Sequence, residues 1–349
     1  MKLLNGDFKK VMAGYKAIKT TLKSTDVSVT LFKGFALVAG ADEDEFMTQL
    51  LVDIDSRDYS HEINLDKITC DLLNKCKAKE DLDFTDKVYI GSRSLPYSST
   101  DNTPKPIDVS SYLQKFTCKA SLFKEQLKGG AVARAKEDSR PVLLNVLLED
   151  STLIAVDGFR IFTRNLGELE HPTMLLQKHT VDILLKLLPN KGEEILNIYL
   201  GDNSQYCITW GDYTLIDQLG EGEFLKWQQV FSNDYEYKVS INRKELVEAL
   251  EFILNSSPQT KALVEFTVKE NTLQVGQDEL EIIEKEFAPH LNAHFKELLI
   301  AFNAKYFLES VKDLHDEYVV LTFIRSLTPC IVEHSKGKDL ILPIRLKDH

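Results

Sequence analysis

Six segments of the chain place apolar residues at the spacing of one helical face. In the first, Val11, Tyr15, Ile18 and Leu22 follow one another at the four-three-four spacing of an amphipathic helix. In another, Gly129 and its glycine neighbour indicate a helix end. The pattern predicts helices over 8–23, 64–77, 119–130, 177–189, 242–254 and 303–314.

Apolar and polar residues alternate in the stretches that follow these helices, which is typical of half-buried β-strands. Turn-forming residues at 149–151 and 269–271 separate the strands in two of these stretches. The Ser, Pro, Thr and Asp content of 92–111 predicts a loop. The alternation predicts strands over 27–40, 142–158, 195–211, 263–277 and 318–334.

The order helix, strands, helix, strands occurs three times along the chain, which indicates an internal repeat. Each repeat covers roughly 110 to 125 residues, a common size for a domain. We therefore predict an α+β fold of three alike domains, each with two helices packed on antiparallel sheets. The expected bounds are 1–114, 115–235 and 236–349.

Composition narrows the class of protein. The 349 residues are 43% hydrophobic and 28% charged, which is ordinary for a globular chain. No apolar run is long enough for a membrane helix and no signal peptide is visible, so we expect a cytoplasmic location. The scattered cysteines indicate free thiols in a reducing compartment. The net charge of −12, taken alone, argues against a nucleic-acid partner.

Three stretches change that picture, because they resemble the bacterial DNA polymerase III beta subunit, the sliding clamp family. The stretch 140-RPVLLNVLLED…LIAVDGFRI-161 is similar to the family's R-x-V-L…ATDGHRL. The stretch 300-IAFNAKYFLESV-311 is similar to its I-x-FN-x-x-Y-L, and 340-LILPIRL-346 to its MP-x-RL. One such match would be a weak signal, but three in order within a threefold repeat are a strong one. The resemblance is weakest in the first repeat.

The resemblance implies a ring of two chains joined head to tail, with domain one of each against domain three of the other. Such a ring encircles duplex DNA and acts as a processivity factor in DNA replication. It would tether the polymerase, the clamp loader and repair proteins. It would hold no cofactor and catalyse nothing.

In such a ring the lysine-bearing helices line the central hole, where positive charge meets phosphate without reading sequence. The excess of acidic residues would then lie outside, which resolves the charge argument. For any single lysine, an ordinary solvated helix face is the alternative. The DNA-facing candidates are Lys9, Lys16, Lys19, Lys23, Lys67, Lys75, Lys124, Lys128, Arg134, Lys178, Lys186, Lys191, Lys244, Lys305 and Lys312.

The family also binds short partner peptides, with Leu and Phe anchors, in an apolar cleft between its second and third domains. For each aliphatic residue at the matching positions, plain sheet core is the alternative. Arg160 and Tyr306 are harder to explain as core because each has a polar end. The pocket candidates are Leu144, Val156, Gly158, Phe159, Arg160, Ile161, Leu225, Val230, Asn303, Tyr306, Leu327, Leu342, Pro343, Ile344, Arg345 and Leu346.

This chain departs from the family pattern at the pocket. Phe159 stands where the family usually has His, Leu225 replaces Pro, Gln229 replaces a frequent basic residue, and Leu342 replaces Met. We therefore expect a more apolar and less basic pocket. Residues 347–349 extend past the family's usual end and would lie close to it.

At the ring interface, Ile253 and Leu254 match apolar contact positions of the family. The acidic run 278–286 would face basic residues on the other chain, and a solvated acidic strand edge is the alternative. The basic candidates for this contact are Lys75, Lys77 and Arg93.

Other chemistry finds little support. The chain has no phosphate-binding G-x-x-x-x-G-K-[ST] and no G-x-S-x-G. His290 and His294 have a helical spacing but lack the Glu of a zinc-protease motif, and Asp157 reads as a turn residue. Two rivals stay open: a clamp-fold scaffold or decoy that binds peptides without encircling DNA, and an enzyme on a repeated α+β scaffold.

Overall fold

The computed structural model describes residues 1–23, 27–41, 47–57, 62–76, 79–99, 104–137, 140–167, 173–201, 204–256 and 263–346. Two 3₁₀-helices, Pro141–Leu144 and Trp227–Val230, accompany its α-helices. The α-helices are α1 (Asn5–Leu22), α2 (Lys67–Lys75), α3 (Ala120–Ala131), α4 (Lys178–Leu187), α5 (Arg243–Ser256), α6 (Pro289–Ala293) and α7 (Ala304–Val311).

The strands pair antiparallel with their neighbours. They are β1 (Lys2–Leu3), β2 (Val27–Leu31), β3 (Phe35–Ala41), β4 (Met47–Asp53), β5 (Ser56–Arg57), β6 (Ile63–Leu65), β7 (Leu82–Phe84), β8 (Val88–Ile90), β9 (Arg93–Leu95), β10 (Leu113–Lys119), β11 (Val146–Glu149), β12 (Thr152–Val156), β13 (Arg160–Asn165), β14 (Met174–Leu176), β15 (Ile195–Leu200), β16 (Gln205–Trp210), β17 (Tyr213–Gln218), β18 (Tyr237–Asn242), β19 (Leu263–Val268), β20 (Thr272–Val275), β21 (Asp278–Phe287), β22 (Leu298–Asn303), β23 (Tyr318–Phe323), β24 (Cys330–His334) and β25 (Gly337–Ile341).

The element order repeats three times, which confirms the predicted α+β class. A strand leads into a helix (β1–α1, β10–α3, β18–α5), and further strands and a second helix follow (α2, α4, α7). Three strands close each repeat: β7–β9, β15–β17 and β23–β25. The expected bound at 114/115 falls inside β10 and the bound at 235/236 lies just ahead of β18. These three-domain bounds stay a prediction.

By contacts, the chain divides into two compact units. Unit 1 comprises Met1–Glu125 and Leu169–Gly220. Its larger sheet has the order β10-β15-β16-β17-β4-β3-β2-β6, and a smaller one has the order β5-β1-β7-β8-β9. The stripe of α1 predicted from the sequence is its buried face, since Val11, Tyr15 and Ile18 are fully covered. At Gly14 an added Cβ would lie 2.6 Å from Leu50 Cδ2, so glycine permits the close approach of α1 to β4.

Unit 2 comprises Gln126–Glu168 and Glu221–His349. Its sheet runs β11-β12-β13-β25-β24-β23-β18-β21-β20-β19-β22. An aromatic cluster holds α7 to this sheet: the Phe307 ring lies 4.7 Å from that of Phe266 and 5.2 Å from that of Phe302. Such apolar burial is the main stabilising contribution in a core.

Two local expectations were wrong. The stretch 142–158 begins as a 3₁₀-helix because Pro141 fixes its own φ and lacks an N–H for a strand ladder, and 92–111 contains the short strand β9. Among the described residues, we find no helix that is both long enough and apolar enough to cross a membrane.

Candidate functional site

An apolar cavity of about 440 Å³ lies in unit 2. Its floor is formed by strands β12, β13 and β25, where Val156, Ile161 and Leu340 stand side by side in register. The next side chains along these strands point to the opposite face, because neighbouring residues of a strand alternate. The floor is therefore apolar although the other face of the same strands carries buried charges.

One wall of the cavity comes from residues 225–233, which we call the cover segment. Leu225 and Val230 line the cavity from this side and are 42% and 40% exposed. Phe159 stands at the opening with 58% of its surface exposed. Three large apolar side chains thus remain partly open to solvent around one cavity, which marks a surface suited to an apolar ligand.

Arg160 is the one cation with its side chain almost wholly buried at this cavity. Its Nε donates to Asp157 Oδ2 at 2.9 Å, its Nη1 donates to Glu309, and its Nη2 donates to the Val132 carbonyl at 2.6 Å. The guanidinium also lies 4.3 Å from the centre of the Tyr306 ring. Two carboxylates neutralise its charge, and the rest of the lining is apolar apart from the exposed Arg140.

Asp157 fixes the turn that presents Phe159. Its Oδ1 accepts hydrogen bonds from the backbone N–H groups of Phe159, at 3.0 Å, and of Arg160, at 3.2 Å. Gly158 adopts a positive φ of 84°, which an L side chain rarely adopts. These contacts confirm Asp157 as a turn residue.

Tyr306 and Asn303 act behind the cavity rather than in its lining. Asn303 caps α7 by accepting from the N–H groups of Lys305 at 3.0 Å and Tyr306 at 3.4 Å. The Tyr306 ring centroid lies 6.2 Å from that of Phe159. Burial, with Asp157 nearby, raises the pKa of Tyr306. The phenol therefore stays neutral and supports the Phe159 side chain.

The structure brings half of the predicted pocket residues together. The lining includes Val156, Gly158, Phe159, Arg160, Ile161, Leu225, Val230 and Leu342. It does not include Leu144, Asn303, Tyr306, Leu327, Pro343, Ile344, Arg345 or Leu346. The sequence reasoning missed Arg140, Leu143, Pro329 and Leu340, although three of these four lie in the stretches that carried the resemblance.

The segment after β25 borders the cavity and is held by backbone hydrogen bonds. Leu342 N–H donates to the Phe159 carbonyl at 2.9 Å, and Ile344 N–H donates to the Ala301 carbonyl at 2.7 Å. Leu342 is thereby fixed beside the opening. Residues 347–349, which we expected near the pocket, lie outside the described residues.

The predicted DNA-facing side chains lie on, or close to the ends of, six helices, and most are accessible. Those of Lys19, Lys67, Lys124 and Arg134 are half-buried. The exposed ones are Lys9, Lys16, Lys23, Lys75, Lys128, Lys178, Lys186, Lys191, Lys244, Lys305 and Lys312.

Some of these cations have acidic neighbours. Lys19 pairs with Asp71, and Lys128 Nζ lies 3.2 Å from Asp313 Oδ2. The Lys19–Asp71 pair is half-buried, whereas the Lys128–Asp313 pair is exposed; an exposed pair contributes little to stability, so a phosphate can compete for Lys128. Burial lowers the pKa of Lys186, whose ammonium donates to the hydroxyls of two α1 threonines.

The predicted interface residues of α5 are half-buried. Ile253 packs against the turn after β20, since a Cβ on Gly276 would lie 2.9 Å from Ile253 Cδ1. Leu254 is similarly half-buried, whereas Phe252 beside it is 62% exposed. The apolar surface of α5 that is most open to a partner is therefore Phe252, which the sequence analysis did not name.

The acidic and basic residues proposed to meet across chains are exposed where the structure describes them. Strand β21 exposes five acidic side chains, at 278, 279, 281, 284 and 286. Arg93, on the edge strand β9, and Lys75 are exposed, while Lys77 lies outside the described residues.

His290 and His294 found little support in the sequence as a zinc pair, and the structure gives His290 a different partner. His290 Nε2 lies 2.8 Å from Glu236 Oε2. In the described part of the chain, no three His, Cys, Asp or Glu side chains are grouped closely enough to hold a metal ion.

Comparison with known proteins agrees with this architecture. Residues 228–345 match the family described as the DNA polymerase III beta subunit, C-terminal domain. The chain is 27% identical over 243 residues to a beta sliding clamp of Chlamydia pneumoniae, covering 67% of this chain and 66% of the relative. It is 27% identical over 228 residues to one of Staphylococcus epidermidis, covering 61% and 59%. The match thus spans less than two thirds of these relatives' length.

Solved structures extend the likeness to the whole fold. The DNA polymerase III beta subunit of Thermotoga maritima superposes with a TM-score of 0.80 at 20% identity, covering 99% of both chains. The DNA polymerase sliding clamp of Pseudomonas aeruginosa gives 0.76 at 17% identity, again over 99% of both. These structures share the fold of three repeated clamp domains with this chain. In sequence, residues 228–345 match the C-terminal domain of the DNA polymerase III beta subunit family.

Proposed function

We propose that this protein is a sliding clamp: a ring of two chains that encircles duplex DNA during replication and tethers partner proteins. The observation that carries the proposal is the apolar cavity, since nine of its twelve lining residues lie in two of the stretches that resemble the family. The relatives named beta sliding clamp support it. In this function the protein is a non-catalytic, cofactor-free processivity factor that works in the cytoplasm on nucleoid DNA.

The partners in this proposal are the polymerase III alpha subunit, clamp-loader subunits and repair proteins, each through a short peptide with Leu and Phe anchors. The volume of about 440 Å³ lies within the usual range for a binding cavity, about 300–1,000 Å³. Arg160 is neutralised by Asp157 and Glu309, and most of the other lining residues are apolar, so the cavity suits apolar anchors.

Ring closure in this proposal sets the edge strand β9 of one chain against the acidic side chains of β21 of the other. Because β21 lies between β18 and β20 in its own sheet, the contact is made through side chains. Arg93 on β9 and the acidic side chains of β21 are complementary in charge. Phe252 and Ile283, 62% and 47% exposed, supply apolar surface for the same contact. Both ends of the contact repeat by symmetry, so two chains close.

DNA contact in this proposal is electrostatic and independent of base sequence. Lysines on all six repeat helices would face phosphate, as predicted from the resemblance. The ring stays on DNA because it is closed, so no single contact has to be strong. The net charge of −12 is compatible with this function if the acidic surplus lies away from the hole.

The experiment that tests the pocket is binding of a fluorescent peptide carrying Leu and Phe anchors. Leu342→Asp places a charge at the cavity and is expected to weaken binding at least tenfold, because a carboxylate beside an apolar anchor is left poorly solvated. Leu263→Asp is the matched control: Leu263 is 40% exposed, Leu342 is 38%, and Leu263 is not in the lining. Equal loss in both variants, or no binding by the unchanged protein, would contradict the pocket assignment.

A further inference from the structure

The cover segment, residues 225–233, is held loosely by its own packing. Leu225 and Val230 are about 40% exposed and Trp227 is half-buried. Apart from the single 3₁₀-turn Trp227–Val230 the segment has no regular structure. A segment with so little buried apolar surface needs polar contacts to keep one position.

One carboxylate supplies those contacts. Glu149, the last residue of β11, accepts from Trp227 Nε1 at 2.7 Å and from Gln228 Nε2 at 2.8 Å. Within the described residues, these are the two side-chain hydrogen bonds that tie the cover segment to the rest of unit 2. Hydrogen bonds to an ionised acceptor are stronger than those between neutral groups.

The tie to Glu149 reaches both sides of the cover segment. On one side Leu225 and Val230 line the apolar cavity. On the other side Trp227 and Phe231 line a second cavity of about 390 Å³ over the polar ends of β12, β13 and β25. Trp227 lies between Leu225 and Val230 in sequence, so releasing its indole N–H also frees the wall that these two residues form.

We propose that Glu149 is a positioning residue for the partner pocket: its carboxylate fixes Trp227 and thereby holds the cavity wall in the shape that receives a peptide anchor. The inference rests on the proposed function, since the ligand is the partner peptide. Glu149 touches no ligand itself, and its place at the β11–β12 hairpin lies outside the cavity lining. A preformed wall binds more tightly because less order is lost on binding.

The test compares Glu149→Ala with Glu149→Gln, which keeps one acceptor oxygen of the same reach. Asp150→Asn is the matched control, because Asp150 is the neighbouring acid of the same turn and its φ of 46° suits Asn. The probes are the fluorescent Leu/Phe peptide and intrinsic tryptophan emission. The chain has two tryptophans, and Trp210 is 2% exposed, so a change in solvent exposure reports on Trp227.

We expect Glu149→Ala to weaken peptide binding about tenfold and to shift tryptophan emission to the red, with Glu149→Gln recovering most of both and Asp150→Asn changing neither. Unchanged affinity in Glu149→Ala would overturn the proposal, as would a loss that Glu149→Gln fails to restore. If the unchanged protein binds no peptide, the proposed function fails. Emission then decides the positioning claim: a red shift in Glu149→Ala alone upholds the hold on Trp227, and an unshifted spectrum overturns it.

Discussion

Replacing Arg164 by methionine is expected to destabilise unit 2 severely, because it leaves the Asp339 carboxylate buried without a cation. The two side chains are 2% and 0% exposed. Arg164 Nη2 donates to Asp339 Oδ2 at 3.1 Å, and its Nη1 donates to Oδ1. The pair joins β13 to β25 directly behind the apolar floor of the cavity.

The magnitude follows from what would remain after the substitution. Ser310 Oγ donates to Asp339 Oδ2 at 2.7 Å, Thr163 N–H donates to Oδ1 at 3.3 Å, and His334 Nε2 lies 3.4 Å from Oδ2, so these three contacts would remain. They do not replace the two-pronged contact of the guanidinium, and breaking a buried pair from one side costs about 3–5 kcal/mol. We therefore expect a loss of that size in the free energy of unfolding for Arg164→Met, and likewise for Asp339→Leu.

The double variant Arg164→Met with Asp339→Leu separates charge from packing. Replacing both members by apolar residues of similar volume removes the unsatisfied charge, so most of the lost stability should return. The remaining cost is about 1 kcal/mol for each of the two donors left without an acceptor, the Ser310 hydroxyl and the Thr163 N–H. Urea unfolding is the assay, followed by tryptophan emission in a Trp210→Phe background, so that the signal comes from Trp227 in unit 2 and not from Trp210 in unit 1. A single variant that loses under 1 kcal/mol, or a double variant as unstable as the sum of the two, would refute the reasoning.

Two further predictions concern charge. Burial alone would raise the pKa of Asp339, but Arg164 and the neighbouring His334 outweigh burial, and the pKa falls below its usual 3.8. The ionised carboxylate therefore stabilises the fold above that pH, and the stabilisation is lost as pH drops through the lowered pKa. Asp339→Asn should flatten the acid side of a plot of unfolding free energy against pH, and an unaltered acid side would contradict this. The double variant Lys9→Ala with Lys16→Ala should reduce the slope of log binding constant against log salt concentration, for a short duplex, by up to about 2. The control is Lys33→Ala with Lys87→Ala, which replaces two exposed turn lysines and should leave that slope unchanged. Equal effects of the two double variants would contradict a DNA contact by α1.

Sequence reasoning located the helices because each buries one face, so apolar residues recur in the local sequence with the 3.6-residue period of a helix. It placed the end of α3 at the glycine pair, and the helix ends one residue later, at Ala131. Gly129 and Gly130 lie inside the helix, and a Cβ on Gly129 would come 3.0 Å from Arg164 Nε. Those glycines leave room for a buried arginine contributed by β13. No local pattern announces that requirement, because the two elements are far apart in sequence.

The pocket residues also divide into those that the sequence predicted and those that depend on contacts between distant parts of the chain. Phe159, Leu225 and Val230 were predicted from family resemblance and do line one cavity. Glu149 was interpreted as a turn residue, which its position in the hairpin supports, but its contact with Trp227 spans 78 residues and left no local signal. The resemblance also assigned Pro343 and Ile344 to the cavity walls, and these two residues border the cavity without lining it, since a resemblance transfers positions without the geometry of the backbone.

The central claim is that the protein holds DNA by encircling it, and retention on DNA of defined topology tests that claim most directly. The purified protein is loaded onto circular DNA by a loader of demonstrated activity, and the circle is then linearised in high salt. We expect the protein to stay on the closed circle and to leave the linear form from its ends, because high salt screens phosphate contacts but does not open a ring. Equal loss from circle and linear DNA as salt rises would contradict encirclement and favour a scaffold that binds partner peptides without threading DNA.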